Sequence, residues 1–167
     1  MNTGPFKVEV LRVDHPRNEF DCGDVDLDRY FKTQVTQDIR RHVAHCFVAL
    51  NSLGQVAGYY TLAASSVLLA ELPQALAKKL PRYPTVPVAR MGRLAVSQSA
   101  QQMGLGSALL ADALVRVFQA DLAAYAMVVD AKHEGAVRFY AKHGFKPFSS
   151  QPLSLWLPMN AVISLVA

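Results

Sequence analysis

The stretch Gln101-Gln102-Met103-Gly104-Leu105-Gly106 follows a strand-like run, Val86 to Val96, and precedes a helix-like run, Ser107 to Phe118. Two glycines beside a helix start permit a tight turn and leave the backbone amides uncovered. The first amides of a helix lack partners inside it, and the helix dipole favours negative charge there. The stretch is typical of a phosphate-binding loop, although, taken without any other motif, it is better explained by an ordinary strand-to-helix turn. It is neither a Walker loop nor a dinucleotide fingerprint, because the G-K-[ST] ending and the G-x-G-x-x-G spacing are absent.

A second motif, A-x-x-F-Y-x-x-x-G-F, runs from Ala136 to Phe145. A helix is predicted to end at Gly144, whose missing Cβ suits a left-handed C-cap, and a strand to begin at Phe145. The two motifs, in this order and with a strand between them, resemble the GNAT acyltransferases over residues 86 to 148. The resemblance implies that the loop amides hold the pyrophosphate of acetyl-CoA and that Tyr140 lies beside the CoA sulfur.

Acetyl-CoA is therefore the expected cofactor. In acetyl transfer an amine attacks the thioester carbonyl, and the departing thiolate needs a proton. Tyr140 is expected to donate it, because a phenol is protonated at neutral pH; the alternative is a packing role beside Phe139. The residues expected to bind the cofactor are Leu94, Ala95, Val96, Gln101, Gln102, Met103, Gly104, Leu105, Gly106 and Ser107.

The central strand carries no evident general base. Many GNAT enzymes have a glutamate there, whereas Val86 to Val96 contains Arg90 and Arg93 and no carboxylate. A lysine amine, with a pKa of about 10.4, would need help to lose its proton, while an α-amine titrates near 8. The ester of an aminoacyl group withdraws electrons and lowers the amine pKa further. The missing base therefore favours an α-amine as the acceptor.

The N-terminal region narrows the resemblance. Phe20-Asp21-Cys22-Gly23, followed by Leu27-Asp28-Arg29-Tyr30-Phe31-Lys32, resembles the opening of GNAT toxins from toxin–antitoxin pairs, which acetylate the α-amine of aminoacyl-tRNA. Arg93 to Val96, Gly104 to Leu114 and Val129 to Lys132 are similar to the same group. The resemblance implies an N-acetyltransferase toxin that inhibits translation and a ribbon-helix-helix antitoxin encoded alongside. Relatives of this type are often dimers, which makes a homodimer one candidate assembly.

The chain is mildly basic, with a formal net charge of +4 and a sequence pI of about 9.2. This balance suits an anionic partner, although each single cation is more often a solvated charge. Arg90 and Arg93 alternate to opposite strand faces unless a bulge at Gly92 changes the phase, so one of them could be structural. The residues expected to contact tRNA phosphates are Arg40, Arg41, Lys78, Lys79, Arg82, Arg90 and Arg93.

The length of 167 residues and the 51% hydrophobic composition predict a single domain over residues 1–167. Cys22 and Cys46 give no disulfide framework, and neither the cysteines nor the histidines have metal-ligand spacing. With no membrane span and no signal-peptide pattern, a cytoplasmic protein is the default expectation.

The order of strands and helices predicts an α+β layered fold, which by resemblance is the GNAT fold with a mixed, mostly antiparallel sheet flanked by helices. The predicted helices run from an N-cap at Asp24 through Ile39, from Glu71 to Leu80, from Ser107 to Phe118 with Phe118 inward, and from Glu134 to Lys142. The predicted strands are Phe6–Val13, Cys46–Leu50, Gln55–Ser65, Val86–Val96, Ala123–Val129, Phe145–Phe148 and Leu153–Leu157.

Two other functions stay open at this point. The first is a GNAT enzyme acting on a small amine or a protein N-terminus, and a neighbouring ribbon-helix-helix gene would favour the toxin over it. The second is a binding module that holds CoA without turnover. Tyr140 and the intact stretch from Gln101 to Gly106, here called the glycine loop, argue against the binding module. A transfer assay with charged tRNA would decide.

Overall fold

A computed structural model describes residues 5–163 of the chain. Within that range the strands are β1 (Lys7–Val10), β2 (His45–Leu50), β3 (Val56–Leu68), β4 (Thr85–Met91), β5 (Leu94–Val96), β6 (Ala126–Asp130), β7 (Lys146–Pro147) and β8 (Ser154–Pro158). The helices are α1 (Val25–Thr33), α2 (Val35–Arg40), α3 (Gln74–Ala77), α4 (Leu105–Phe118) and α5 (Glu134–Lys142).

The strands are hydrogen-bonded in the order β1-β2-β3-β4-β6-β8-β7, and β5 also pairs with β3. The pairs β1–β2, β2–β3, β3–β5, β6–β8 and β7–β8 are antiparallel. This arrangement confirms the predicted α+β class with a mostly antiparallel sheet. No helix among residues 5–163 has the length and apolarity that a membrane crossing requires.

The chain divides into two compact units. The first contains the residues up to Ala63 together with Met91–Leu114, and the second contains Ala64–Arg90 together with the residues from Val115 onward. The glycine loop therefore belongs to the first unit, and Tyr140 belongs to the second.

The N-terminal motif, Phe20 to Lys32, contributes aromatic rings to the core of the first unit. The rings of Phe31 and Tyr59 stack with centroids 4.4 Å apart, and Phe20 meets Phe31 edge-on at 5.1 Å. Asp24 caps α1 as predicted, since its carboxylate accepts from the Asp26 and Leu27 amides at 3.0 and 3.2 Å. The apolar residues of the motif thus pack in the core of the first unit, and its capping residue fixes the start of α1.

The predicted helix from Asp24 to Ile39 is broken. It ends as α1 at Thr33 and resumes as α2 after Gln34, whose backbone φ is −119°. Thr33, Val35 and Thr36 are β-branched, which lowers helix propensity at this point. The break leaves Phe31 and Val35 both fully buried, so the four-residue apolar period survives it.

The central strand also differs from the prediction. Val86–Val96 is two strands, β4 and β5, separated by Gly92 and Arg93, so the predicted bulge at Gly92 is a full interruption. The predicted helix at Glu71–Leu80 shortens to the single turn α3, and Pro73, directly before its first residue, keeps it from beginning earlier. Phe118 is 41% exposed and not inward, because α4 ends there.

The second unit has its own core, and α5 has the predicted limits. Its buried residues are Val67, Leu72, Val86, Val88, Ala126, Val128, Phe148 and Trp156. Gly144 follows α5 with a φ of +93°, which is the predicted left-handed cap. The Phe145 amide then donates to the Tyr140 carbonyl at 3.2 Å, so the turn is closed directly behind that tyrosine.

Candidate active site

The glycine loop leads into the N-terminus of α4. Gln102 and Gly104 both have positive φ values, +65° and +78°, and residues 101–104 are exposed. The Ala108 amide donates to the Gly104 carbonyl at 3.1 Å, so the amides before Ala108 precede the helical ladder. Leu105 is buried and anchors the helix start. The loop thus places exposed backbone directly before a helix N-terminus, where anions are favoured.

Gly104 is needed for its backbone angle and for the open space beside it. A Cβ at this position would meet nothing within 4 Å, yet a φ of +78° is unfavourable for any residue with a side chain. The backbone at Gly104 is therefore uncovered on the side where a side chain would stand. The residues present therefore fit the phosphates of acetyl-CoA.

Gln101 has a structural task beside the loop. Its side-chain amide donates to the carbonyls of Cys22 and Val96, each at 2.9 Å. The Gln98 amide donates to the Asp21 carbonyl at 2.9 Å. These bonds join the turn before α1 to the end of β5, so the N-terminal motif and the loop support each other. Gln101 is predicted from the sequence to contact the cofactor, and here its side-chain nitrogen is used within the protein.

Strand β5 and helix α4 are held together through β3. Leu94, Ala95 and Val96 pair with Tyr60, Tyr59 and Gly58. A Cβ on Gly58 would lie 2.8 Å from Leu109 Cδ1 and 3.0 Å from the Ala95 carbonyl, so glycine allows this close approach. The Tyr60 hydroxyl also donates to Asp112 Oδ2 at 2.6 Å. The base of the loop is thus rigidly attached to the sheet.

Tyr140 lies on α5 in the second unit with 5% of its surface exposed. Its ring contacts Phe139 and Phe145, at centroid distances of 5.2 and 5.7 Å. Burial raises the pKa of the Tyr140 phenol, and the negative charge of Asp130 raises it further. The phenol is therefore held in its protonated form.

The Tyr140 hydroxyl has no hydrogen-bond partner among residues 5–163. Every fully buried side-chain nitrogen or oxygen in that range is hydrogen-bonded, so this hydroxyl retains some solvent access. A protonated donor with no internal acceptor suits proton transfer to a bound molecule.

Asp130 is a charged neighbour of Tyr140 that the sequence indicates only weakly. Its Oδ1 accepts from Arg90 Nη1 at 2.7 Å and from Ser154 Oγ at 3.0 Å. A carboxylate directly after the buried run of β6 is the one local signal for it. Arg90 is predicted to contact tRNA, but here its guanidinium pairs with Asp130 and also lies 3.4 Å from Ser65 Oγ.

Arg93 likewise has an internal partner. Its guanidinium carbon lies 3.5 Å from the centroid of the Tyr30 ring, and the Tyr30 hydroxyl donates to Asp38 Oδ2 at 2.7 Å. The cation, the ring and the carboxylate link the start of β5 to both α1 and α2. Arg90 and Arg93 therefore both have structural contacts, one in each unit.

The other predicted tRNA-binding residues are exposed and make no ion pair with any residue from 5 to 163. Arg40 and Arg41 lie at the end of α2. Lys78, Lys79 and Arg82, here called the basic trio, follow α3. Their charges are available to an external anion.

A cavity of about 880 Å³ in the first unit lies beside the loop. Its walls include Arg17, Ser97, Ser99 and Met103, so Met103 is its one contributor from the predicted cofactor contacts. No group of three or more histidine, cysteine or acidic residues between residues 5 and 163 could hold a metal ion.

The Acetyltransferase (GNAT) family model matches residues 9–145. The chain belongs to the GNAT acetyltransferase family. This GNAT chain is 35% identical, over 149 residues and 88% of both chains, to a protein of Mycobacterium tuberculosis named tRNA-acetylating toxin.

Solved structures extend the GNAT comparison. AtaT complexed with acetyl-methionyl-tRNAfMet has a TM-score of 0.89 and 30% identity, covering 97% of this chain and 99% of that one. A tyrosine-to-phenylalanine variant of the toxin AtaT, bound to the C-terminus of the antitoxin AtaR and to acetyl-CoA, has a TM-score of 0.83 and 25% identity, covering 98% and 99%. The predicted GNAT fold is thereby confirmed.

Proposed function

We propose that this chain is an acetyl-CoA-dependent N-acetyltransferase toxin, which acetylates the α-amine of aminoacyl-tRNA and so inhibits translation. The observation that carries the proposal is similarity to the tRNA-acetylating toxin along 88% of both chains. The exposed glycine loop and the protonated, unpartnered Tyr140 hydroxyl support it.

Each predicted element has a defined task in this reaction. Acetyl-CoA supplies the activated acetyl group as a thioester. The amides of the loop and of the α4 N-terminus bind its pyrophosphate, and Gly104 keeps that surface open. Binding of both reactants by one protein removes much of the entropic barrier. Tyr140 keeps its proton through burial and donates it to the leaving sulfur.

The class of amine that accepts the acetyl group is inferred from the lack of a carboxylate on the central strands. Neither β4 nor β5 carries a carboxylate, and Oδ1 of Asp130 is occupied by Arg90 and Ser154. No general base is therefore evident in this region. An α-amine with a pKa near 8 is partly neutral at physiological pH, whereas a lysine side chain is almost fully charged. The α-amine of the proposed aminoacyl ester accordingly needs the least help from a general base to lose its proton.

The proposed tRNA contacts are Arg40 and Arg41 in the first unit and the basic trio in the second. These are exposed cations without internal ion pairs, and phosphate neutralisation supplies most of the sequence-independent affinity for nucleic acid. Arg90 and Arg93, which the sequence also predicts to contact tRNA, hold Asp130 and Tyr30 with their side chains.

The proposed partners are a ribbon-helix-helix antitoxin and a second copy of the chain. AtaT bound to the C-terminus of the antitoxin AtaR supports the first. The proposed catalytic domain is a single one, since the family match at residues 9–145 includes parts of both compact units. Co-expression with the adjacent reading frame and sedimentation analysis test the two assemblies.

The decisive experiment is mass spectrometry of tRNA-linked amino acids after incubation with the protein and isotopically labelled acetyl-CoA. A labelled acetyl group on the α-amine of one or more aminoacyl-tRNAs is expected. Labelled spermidine or a labelled peptide N-terminus, with no modified aminoacyl-tRNA, would instead identify a small-amine or protein acetyltransferase. Bound acetyl-CoA without any transfer would identify a binding module.

A further inference from the structure

The chain between β3 and β4, residues 69–84, is a connecting segment that is anchored to the second unit. The Leu69 amide donates to the Pro84 carbonyl at 3.0 Å, which closes the base of this segment. Leu72 is buried, and Leu76 and Leu80 pack against the core of the unit. The inward side is thus apolar, and the outward side is held in a defined position.

The outward side combines three cations with one aromatic ring. Every member of the basic trio is exposed, and Tyr83 is 70% exposed. Neither the trio nor Tyr83 makes an ion pair or ring contact with any residue from 5 to 163. Pro81 and Pro84 flank Arg82 and Tyr83, and because each proline has a restricted φ, little backbone freedom is lost when a partner binds.

An exposed ring among unpaired cations is the chemistry that binds single-stranded nucleic acid. A base stacks on the ring, and the cations contact the phosphates on either side. Paired bases already stack on their neighbours, so a flat ring on a protein surface stacks on an unpaired base. A charge-only surface would need no exposed aromatic ring.

We propose that Tyr83 stacks on an unpaired base at the 3′ end of the tRNA while the basic trio binds the adjoining phosphates. This inference rests on the proposed function, because the aminoacyl group is carried by the unpaired 3′ end. Those are the nucleotides that must lie nearest to an enzyme that modifies the group. Self-association through this surface is disfavoured, since two copies of the trio would face each other with like charge.

The test is a binding titration with two uncharged RNA hairpins that share one stem, one with an unpaired 3′ tail and one blunt. The variants are Tyr83→Ala and Tyr83→Phe, with Leu122→Ala as the matched control, because Leu122 is 79% exposed in the same unit. Tyr83→Ala should weaken binding of the tailed hairpin by about 5- to 150-fold. Tyr83→Phe and Leu122→Ala should bind as the wild type does.

The salt dependence separates stacking from charge. Tyr83→Ala should leave the slope of log affinity against log salt unchanged, whereas Lys79→Ala should reduce it by about 0.7. Binding of the blunt hairpin should be equal for Tyr83→Ala and the wild type.

Three results would overturn the inference. They are unchanged affinity of Tyr83→Ala for the tailed hairpin, equal losses on both hairpins, and a Tyr83→Ala protein that dissociates from dimer to monomer in sedimentation velocity. Thermal melts exclude a folding defect. Acetyl transfer by the wild-type protein to charged tRNA is measured separately, so failure of the proposed function is distinguishable from failure of the stacking contact.

Discussion

Replacing Tyr140 by phenylalanine removes one hydroxyl from a ring that is 5% exposed and leaves its contacts with Phe139 and Phe145 intact. Because the hydroxyl has no hydrogen-bond partner among residues 5–163, the variant loses no internal hydrogen bond. The free energy of unfolding should therefore change by less than the roughly 1 kcal/mol that an ordinary hydrogen bond contributes.

The expected effect on catalysis is much larger. Loss of a positioned proton donor typically slows a reaction by about 10²–10⁴-fold, which corresponds to about 2.7–5.4 kcal/mol in the barrier. Binding of acetyl-CoA should be nearly unchanged, because the phosphate contacts are proposed to lie on the glycine loop. Toxicity in cells should disappear.

Single-turnover kinetics with charged tRNA, a calorimetric titration with acetyl-CoA and a thermal melt test this together. A normal rate in Tyr140→Phe would remove the tyrosine from the mechanism and leave water as the proton source. A normal rate with a clear loss of stability would assign Tyr140 a packing role.

The pH dependence gives a further check on Tyr140. Its folded pKa is raised above the unfolded value of about 10, so folding favours the protonated phenol. The resulting contribution to the free energy of unfolding is fully present below pH 10 and is lost only as the pH rises above that value. The wild-type rate should therefore show no decline near pH 10 from this group, and a decline that Tyr140→Phe abolishes would contradict the raised pKa.

Four further changes have defined outcomes. Gly104→Val should weaken acetyl-CoA binding, because an L-residue at this φ costs about 1–2 kcal/mol and its side chain enters the open space; calorimetry showing wild-type affinity would refute this. Charge reversal of the basic trio should reduce transfer to charged tRNA more than transfer to a small amine, and equal losses would mean that the trio is structural. Arg93→Gln should lower the free energy of unfolding by about 1–2 kcal/mol and leave the salt dependence of tRNA binding unchanged; a slope reduced by about 0.9 without loss of stability would show a phosphate contact instead. Gly58→Ala should cost about 1–3 kcal/mol by crowding Leu109, and an unchanged denaturant midpoint would contradict that packing.

Local signals were the most reliable part of the sequence. The N-cap at Asp24, the limits of α5 and the left-handed cap at Gly144 all agree with prediction, because each depends on residues within a few positions. The start of α4 is two residues earlier than predicted, since Leu105 and Gly106 already belong to the helix. The sequence does not predict the break at Gln34, because the apolar period continues across it.

The sequence by itself determined the family, the glycine loop and the position of Tyr140 in the last turn of a capped helix, because these follow from short motifs and their order. Only the tertiary structure decided which cations are free. Arg90 reaches Asp130 across 40 residues of sequence, and Arg93 stacks on Tyr30 of a distant helix. Such pairings depend on which strands and helices become neighbours, and that is set by burial of the whole apolar surface rather than by any local pattern. The same folding leaves Tyr83 and the basic trio outward, where an RNA could reach them.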